Sequence, residues 1–268
     1  MGDMLTLYAP LLLRAGGFAL VAFLLVLWPL SLRLRDASIV DIFWGPGCAA
    51  MAWIYYVSTP GHGLRALIFL VLATAWGVRL GLYLGHRNHG GEDPRYTAIR
   101  ADVAARGGNF ALHSLRVVFI YQGLAMILIT LPALFAIAGA APGVGIAGLL
   151  GAFMAAIGLV IETVADQQMS RFRATRQDRS QVMDRGLWRY SRHPNYFGEI
   201  LVQWGLFLLA LDTGPWALVA AAGPAVLTYA IIGPMGAALL EKRLGTNPAY
   251  DDYVRRTSVI VPWPPRRA

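Results

Sequence analysis

The chain is poor in cysteine and in charge. Its single cysteine, Cys48, excludes an internal disulfide and any cluster of metal-binding thiolates, and a small buried apolar residue is the ordinary role for it. Charged residues make up only 14% of the 268 positions, against about 25% in soluble domains. Acids are scarcer than bases, 15 against 23, for a formal charge of +8. No Walker loop, CxxC pair or HExxH motif is present. Gly143-Val144-Gly145-Ile146-Ala147-Gly148 matches GxGxxG by letter, but it opens an apolar run with no strand before it, which is the wrong setting for a dinucleotide fingerprint. His86 and His89 sit in a glycine-rich loop without supporting cysteines and read as solvated residues; no metal is expected.

Apolar residues are abundant. They form 57% of the chain, and mean hydropathy is +0.53, the composition of an integral membrane protein with little soluble mass. Seven apolar runs are each long enough for a membrane helix: about 11–32, 38–58, 64–85, 114–139, 143–165, 196–212 and 215–240. All basic residues except Arg14, Arg65 and Arg79 fall in or beside the connections after the first, third, fifth and seventh runs. Positive charge marks the cytoplasmic side, so the expectation is an all-α protein of seven spans, N-terminus outside and C-terminus inside. Asp3 stands where a signal peptide carries positive charge, so the first run reads as an uncleaved span. The opposite connections, STPGHG, AAPGVG and DTGP, are short turns. Gly77, Gly81 and Gly85, and Gly148, Gly151 and Gly158, have the spacing of close helix packing, and Pro224 and Pro234 are expected to kink the last span.

The most polar stretch is Asp166 to Glu199. It holds Arg171, Arg173, Arg176, Arg179, Arg185, Arg189 and Arg192 and ends in GLWRYSRHPNYFGE. Guanidinium forks beside aromatic rings suit a planar polyanion such as a nucleotide cofactor, although arginines at this place also satisfy the topology rule alone. Nucleic acid is not expected, because the bases are tied to membrane boundaries and not to one soluble face. Charges inside spans point to function. Asp41 falls near the start of the second run, on the outer side by count; Arg79 lies in the third and Glu162 near the inner end of the fifth; Glu199 and Gln203 share one face of the sixth. Asp41 and Arg79 read equally as a structural ion pair or as catalytic groups. Trp76, Arg79 and Tyr83 share a helix face that can hold a flat apolar substrate and offer a donor to its polar atom; Asp41, if protonated, is a second donor.

The segments VDIFWGPG, AWGVRLGLYL, ETVADQQMSRFR, GLWRYSRHPNYFGE and EKRLGTNPAYDDYVRRTSVIVPWPP, in this order between Ile39 and Pro265, closely resemble the bacterial branch of the steroid 5α-reductase family. The resemblance implies one integral membrane domain of seven helices over residues 1–268, with a substrate side at 39–113 and a cofactor region at 162–265. It implies cytoplasmic NADPH as cofactor, reduction of a carbon–carbon double bond conjugated to a ketone in a steroid or other apolar enone lipid, and a monomer in the bacterial inner membrane. It assigns Asp166 and Arg173 to the adenosine and phosphate end of the cofactor. Tyr190, Asn195 and Glu199 would line its pocket, Glu199 beside the carboxamide, with Arg189, Arg192, His193 and Tyr196 of the same string and Glu241, Tyr253 and Arg256 of the tail as further contacts. The animal enzymes bind the ketone with a glutamate on the second span and a tyrosine on the third; here Asp41 takes the first role, and Trp76 or Tyr83 the second. The RHPNYFGE string also resembles isoprenylcysteine carboxyl methyltransferase and its bacterial relatives, which implies S-adenosylmethionine as an alternative ligand.

Overall fold

In the computed structural model the chain is described over residues 2–88, 91–139, 143–178, 180–233, 235–244 and 248–266. His89, Arg179, Pro234 and Arg267, and part of the AAPGVG turn, lie outside the described residues. Among those described, 79% are helical and none forms a strand.

Five helices are long and apolar enough to cross a membrane: Thr6–Leu34, Leu64–Arg87, Phe110–Ala138, Ile146–Thr175 and Pro215–Lys242. Their outward side chains are large and apolar, including Leu13, Leu25, Leu82, Ile146 and Phe153, each more than two-thirds exposed, as expected where lipid and not water is the surrounding medium. The second and sixth runs are also helices, Ile39–Ser58 and Pro194–Leu211, shorter than the five.

Two glycine seams hold the bundle. A Cβ on Gly45 would meet the Gly77 carbonyl oxygen at 2.4 Å, and one on Gly81 would strike Pro46 at 2.6 Å, so helices 39–58 and 64–87 touch backbone to backbone. Gly158 and Gly198, and Gly151 and Gly205, pair in the same way at 2.5 Å between helices 146–175 and 194–211. Gly85 is not part of a seam, its nearest neighbour being Ile42 at 3.8 Å, and Gly148 faces the Asp212 carboxylate instead of a helix. That carboxylate accepts from the Gly145 and Gly148 N–H groups at 2.7 and 3.2 Å. The start of the GxGxxG-like segment is therefore closed by an internal acid. Arg65, buried, donates to the Ala136 and Gly139 carbonyls at 2.9 and 2.8 Å and ends the helix Leu131–Ala138, which is buried from Pro132 onward.

Three boundaries differ from the sequence expectation. The fifth run does not stop near 165: its helix continues to Thr175, and 30 residues span about 45 Å against a hydrocarbon core of about 30 Å, so its last turns stand clear of lipid. The connection after Arg87 folds into the helix Pro94–Ala105, capped by the Asp93 side chain on the Arg95 N–H. The last run is 3-10 over Pro215–Ala221 and α-helical over Ala222–Ile232; it breaks after Gly233 and resumes as Ala237–Leu244, so Pro224 sits at a helix start and not at a kink.

Candidate functional site

The long helix 146–175 carries polar side chains on one face of its C-terminal half. Glu162, Asp166 and Arg173 follow at four and seven positions, the spacing that stacks residues above one another. Opposite stands Arg79. Its Nη2 donates to Glu162 Oε1 at 2.9 Å and to Asp166 Oδ2 at 2.6 Å, and its Nη1 donates to Asp166 Oδ2 at 2.9 Å. Asn195, one residue into helix 194–211, donates to the other oxygen of Asp166 at 3.2 Å. Glu199, one turn further, lies within electrostatic reach of Arg79 and Glu162. One guanidinium thus faces three acids in a setting only 2% exposed at Glu162.

The cluster is incompletely satisfied. Among the described residues Arg79 Nε, Glu162 Oε2 and Asn195 Oδ1 are buried without a hydrogen-bond partner. The buried Trp76 N–H faces the Glu162 carboxylate outside hydrogen-bonding geometry, and the Tyr83 hydroxyl faces Asp166. Buried polar atoms left open at one place are costly, and they are common where a ligand or water completes the site.

Two cavities meet at Arg79. A polar pocket of about 350 Å³ is lined by Arg79, Tyr83, Asp166, Gln167, Ser170 and Arg171. An apolar groove of about 650 Å³, lined by Trp53, Leu70, Val71, Val78, Leu82 and Arg79, opens toward the lipid-facing side of helices 39–58 and 64–87. Arg171 lines the polar pocket and Arg173 lies within electrostatic reach of Tyr83. Both are exposed, as are Arg176, Arg185 and Arg189 further along, and among the described residues none of these five guanidinium groups hydrogen-bonds or ion-pairs. Arg87 leans on the Tyr83 ring at 5.9 Å.

Asp41 does not pair with Arg79. It accepts from Arg95 Nη2 at 2.6 Å and from the Tyr96 hydroxyl at 2.8 Å, and Tyr96 in turn accepts from Gln122 at 3.3 Å. This places Asp41 at the arginine-rich end of the bundle, and not at the opposite end as expected. The second run begins at the same end at which the first and third finish, so a residue at its start must face the 88–109 connection. Beside it Glu92 accepts from the Ala37 N–H and from Arg100, both at 2.8 Å. Burial alone would raise the Glu92 carboxyl; the Arg100 hydrogen bond and the Ala37 N–H outweigh it and hold the group below its ordinary range.

The tail residues form a separate clamp. Arg192, buried, donates to Glu241 at 2.7 and 3.0 Å and to the Val254 and Thr257 carbonyls at 3.0 and 2.6 Å. His193 reaches the same Glu241 at 3.2 Å; burial lowers its imidazole below the ordinary value while Glu241 opposes the shift. Tyr253 donates to the Trp188 and Ser191 carbonyls, and Arg256 pairs with Asp184 at 2.8 Å. Most of the Arg192 fork is consumed within the protein, which ties the RHPNY turn to the tail. Tyr196 stacks on His193 at 5.3 Å between the clamp and the Arg79 cluster, whereas Tyr190 and Arg189 are exposed. Thr163, Gln167 and Ser170 were not among the expected site residues. Their signal is the polar face that continues past Asp166 at helical spacing, hidden when that stretch is read as a connection.

A family model described as a protein of unknown function, DUF1295, matches residues 27–257. The chain belongs to that family. No curated protein and no solved structure matches it.

Proposed function

We propose that this DUF1295 member is a membrane reductase that uses NADPH to saturate a carbon–carbon double bond conjugated to a ketone in a steroid or similar lipid. One observation carries the reading: the half-buried guanidinium of Arg79 stands where a lipid-facing apolar groove and a polar pocket edged by the unpaired Arg171 meet. A reaction between a lipid and a water-soluble polyanion needs both compartments to end at the same atoms. The resemblance of ETVADQQMSRFR and GLWRYSRHPNYFGE to the steroid 5α-reductase family supports the same chemistry.

The residues present fit the cofactor. Arg171 and Arg173 are unpaired forks at the pocket mouth, suited to phosphate oxygens and to the 2′-phosphate that separates NADPH from NADH. Asn195 Oδ1 and Glu162 Oε2 are open acceptors for amide or hydroxyl donors deeper in. Glu199 is near enough to receive a carboxamide. When bound, NADPH supplies the hydride for the β-carbon of the enone. The chain's part is to receive the charge that then develops on the ketone oxygen. Arg79 has an unpartnered Nε–H, and Tyr83 has a hydroxyl close by; either donor can stabilise that oxygen, an oxyanion-hole task. The groove excludes water from the apolar body of the substrate. Asp41, held by Arg95 and Tyr96, organises the rim in this reading and does not touch the ketone.

The acid-rich interior would also suit the sulfonium of S-adenosylmethionine, and that observation favours a methyltransferase as the second reading. The unpaired arginines weigh against it, because that ligand has no phosphate. In either reading helices 39–58 and 194–211 also span the bilayer, giving seven spans with the N-terminus outside, the arginine-rich end in the cytoplasm, and residence in a bacterial inner membrane. The test is purified protein in detergent with NADPH and a panel of enone steroids and lipids, followed at the nicotinamide absorbance band. Substrate-dependent loss of absorbance supports the proposal; its absence across the panel, with methyl transfer from S-adenosylmethionine instead, replaces it.

A further inference from the structure

Residues 257–264 follow the last helix as a bent, irregular segment and lie against the turn that precedes helix 194–211. Ser191 and Ser258 form a bridge, the Arg192 N–H donates to the Ser258 carbonyl at 2.8 Å, and the Trp263 N–H donates to the Tyr190 carbonyl at 2.9 Å. Exposure alternates along this segment. Here Ile260 and Pro262 turn inward, half-buried, while Val259, Val261 and Trp263 turn outward and are 40%, 60% and 69% exposed. Tyr190, 42% exposed, extends the same stripe. Every outward position is apolar, in a part of the chain otherwise rich in arginine.

The depth of this stripe is set by the Arg192 clamp. Arg192 holds the Thr257 carbonyl at 2.6 Å and Glu241 at 2.7 Å, and Glu241 lies at the end of the apolar segment Pro215–Lys242. The stripe therefore sits at the level at which that segment leaves the hydrocarbon, where Trp and Tyr are enriched and where arginine meets anionic headgroups. Arg189 and Arg266, both exposed, flank it. We propose that the 257–264 segment is an interfacial anchor whose partner is the headgroup layer of the arginine-rich leaflet. Val259, Val261 and Trp263 dip into the boundary, and the anchor presses the Arg192 clamp against the bilayer. The proposal stands apart from the reductase reading and holds for a methyltransferase as well.

The test uses the full chain in nanodiscs containing anionic lipid. Cys48 is replaced by Ala, and a nitroxide is placed on a cysteine substituted singly for Val259, Val261, Trp263 or, as a solvent reference, Arg176. Collision of the label with oxygen is expected to exceed collision with a water-soluble nickel chelate several-fold at the three stripe positions, with the order reversed at Arg176. Nickel access at the stripe equal to that at Arg176 would place the segment in water and overturn the proposal. Shelter from both reagents would mean a protein partner on this face and would overturn it too. A label-free measurement checks the same point: wild type should lose more tryptophan emission to brominated lipid than Trp263→Phe does, and equal quenching contradicts the anchor.

Discussion

Arg79 and Asp166, 87 positions apart, are joined through both terminal nitrogens of the guanidinium to one carboxylate oxygen, at 2.9 and 2.6 Å. With Glu162 on the same Nη2, this is an internal counter-ion network that the membrane interior cannot replace with water. Arg79→Met leaves buried acids uncompensated and should cost about 3–5 kcal/mol. Adding Glu162→Gln should restore part of the loss, because it removes one of the stranded charges. Unfolding midpoints of the two single variants and the double variant in detergent check this, and strictly additive losses would speak against the network.

The same residue separates the two roles once open to Asp41. Arg79→Ala should abolish enone turnover, whereas Asp41→Asn, which loosens only the Arg95 and Tyr96 contacts, should leave a measurable rate. Steady-state kinetics of both variants decide it. Equal loss from both would return Asp41 to the ketone.

The arginine rim makes a graded prediction. A charge-assisted hydrogen bond to phosphate is worth about 1.5–3 kcal/mol, so Arg173→Ala should raise KM for NADPH by about tenfold or more and change that for NADH little. Arg266→Ala, far along the tail, should alter neither. Similar effects at both positions would mean that surface charge acts without a pocket.

Helix contact through glycine predicts a contrast within one residue type. Gly158→Ala pushes a methyl toward the Gly198 carbonyl, where 2.5 Å is available, and should destabilise by about 1–3 kcal/mol. Gly85→Ala, with 3.8 Å to Ile42, should stay within about 0.5 kcal/mol of wild type. Thermal midpoints that fail to separate the two variants would remove the seam from the account.

Acid should release the rim. The Glu92 carboxyl is held below its ordinary value, so its contribution is fully present above that value, about 4.3, and fades as pH falls through the lower folded value. Hydrogen exchange in helix 94–105, corrected for intrinsic rate, should therefore rise on acidification in wild type. In Glu92→Gln the protection should already be reduced at neutral pH and depend less on pH. A pH response unchanged by the substitution would assign it to another group.

Much of this was legible from residue order, and the failures share a cause. Apolar runs and the bias of arginine located every long helix, because both follow from the cost of polar groups in lipid, which acts on single segments. Gly77, Gly81, Gly151 and Gly158 announced their seams by spacing. The partner of Arg79 could not be read, because three acids compete for one cation and only packing decides among them. Asp41 stands at the arginine-rich end because the second run starts where the first finishes, and its partners Arg95 and Tyr96 come from a connection whose fold the apolar pattern does not show. The helical face through Thr163, Gln167 and Ser170 was missed because a helix that outruns the bilayer loses its apolar signal while keeping its hydrogen bonds. Arg192 reads in sequence as a ligand-binding base, yet its donors are used to fasten the tail.

The most direct test of the central claim is equilibrium binding of NADPH, NADH and S-adenosylmethionine to the purified protein and to Arg173→Ala. The account predicts that NADPH binds most tightly, that NADH is weaker, and that the substitution narrows the difference between them. Tight binding of S-adenosylmethionine with none of NADPH, or NADPH binding indifferent to Arg173, would contradict it.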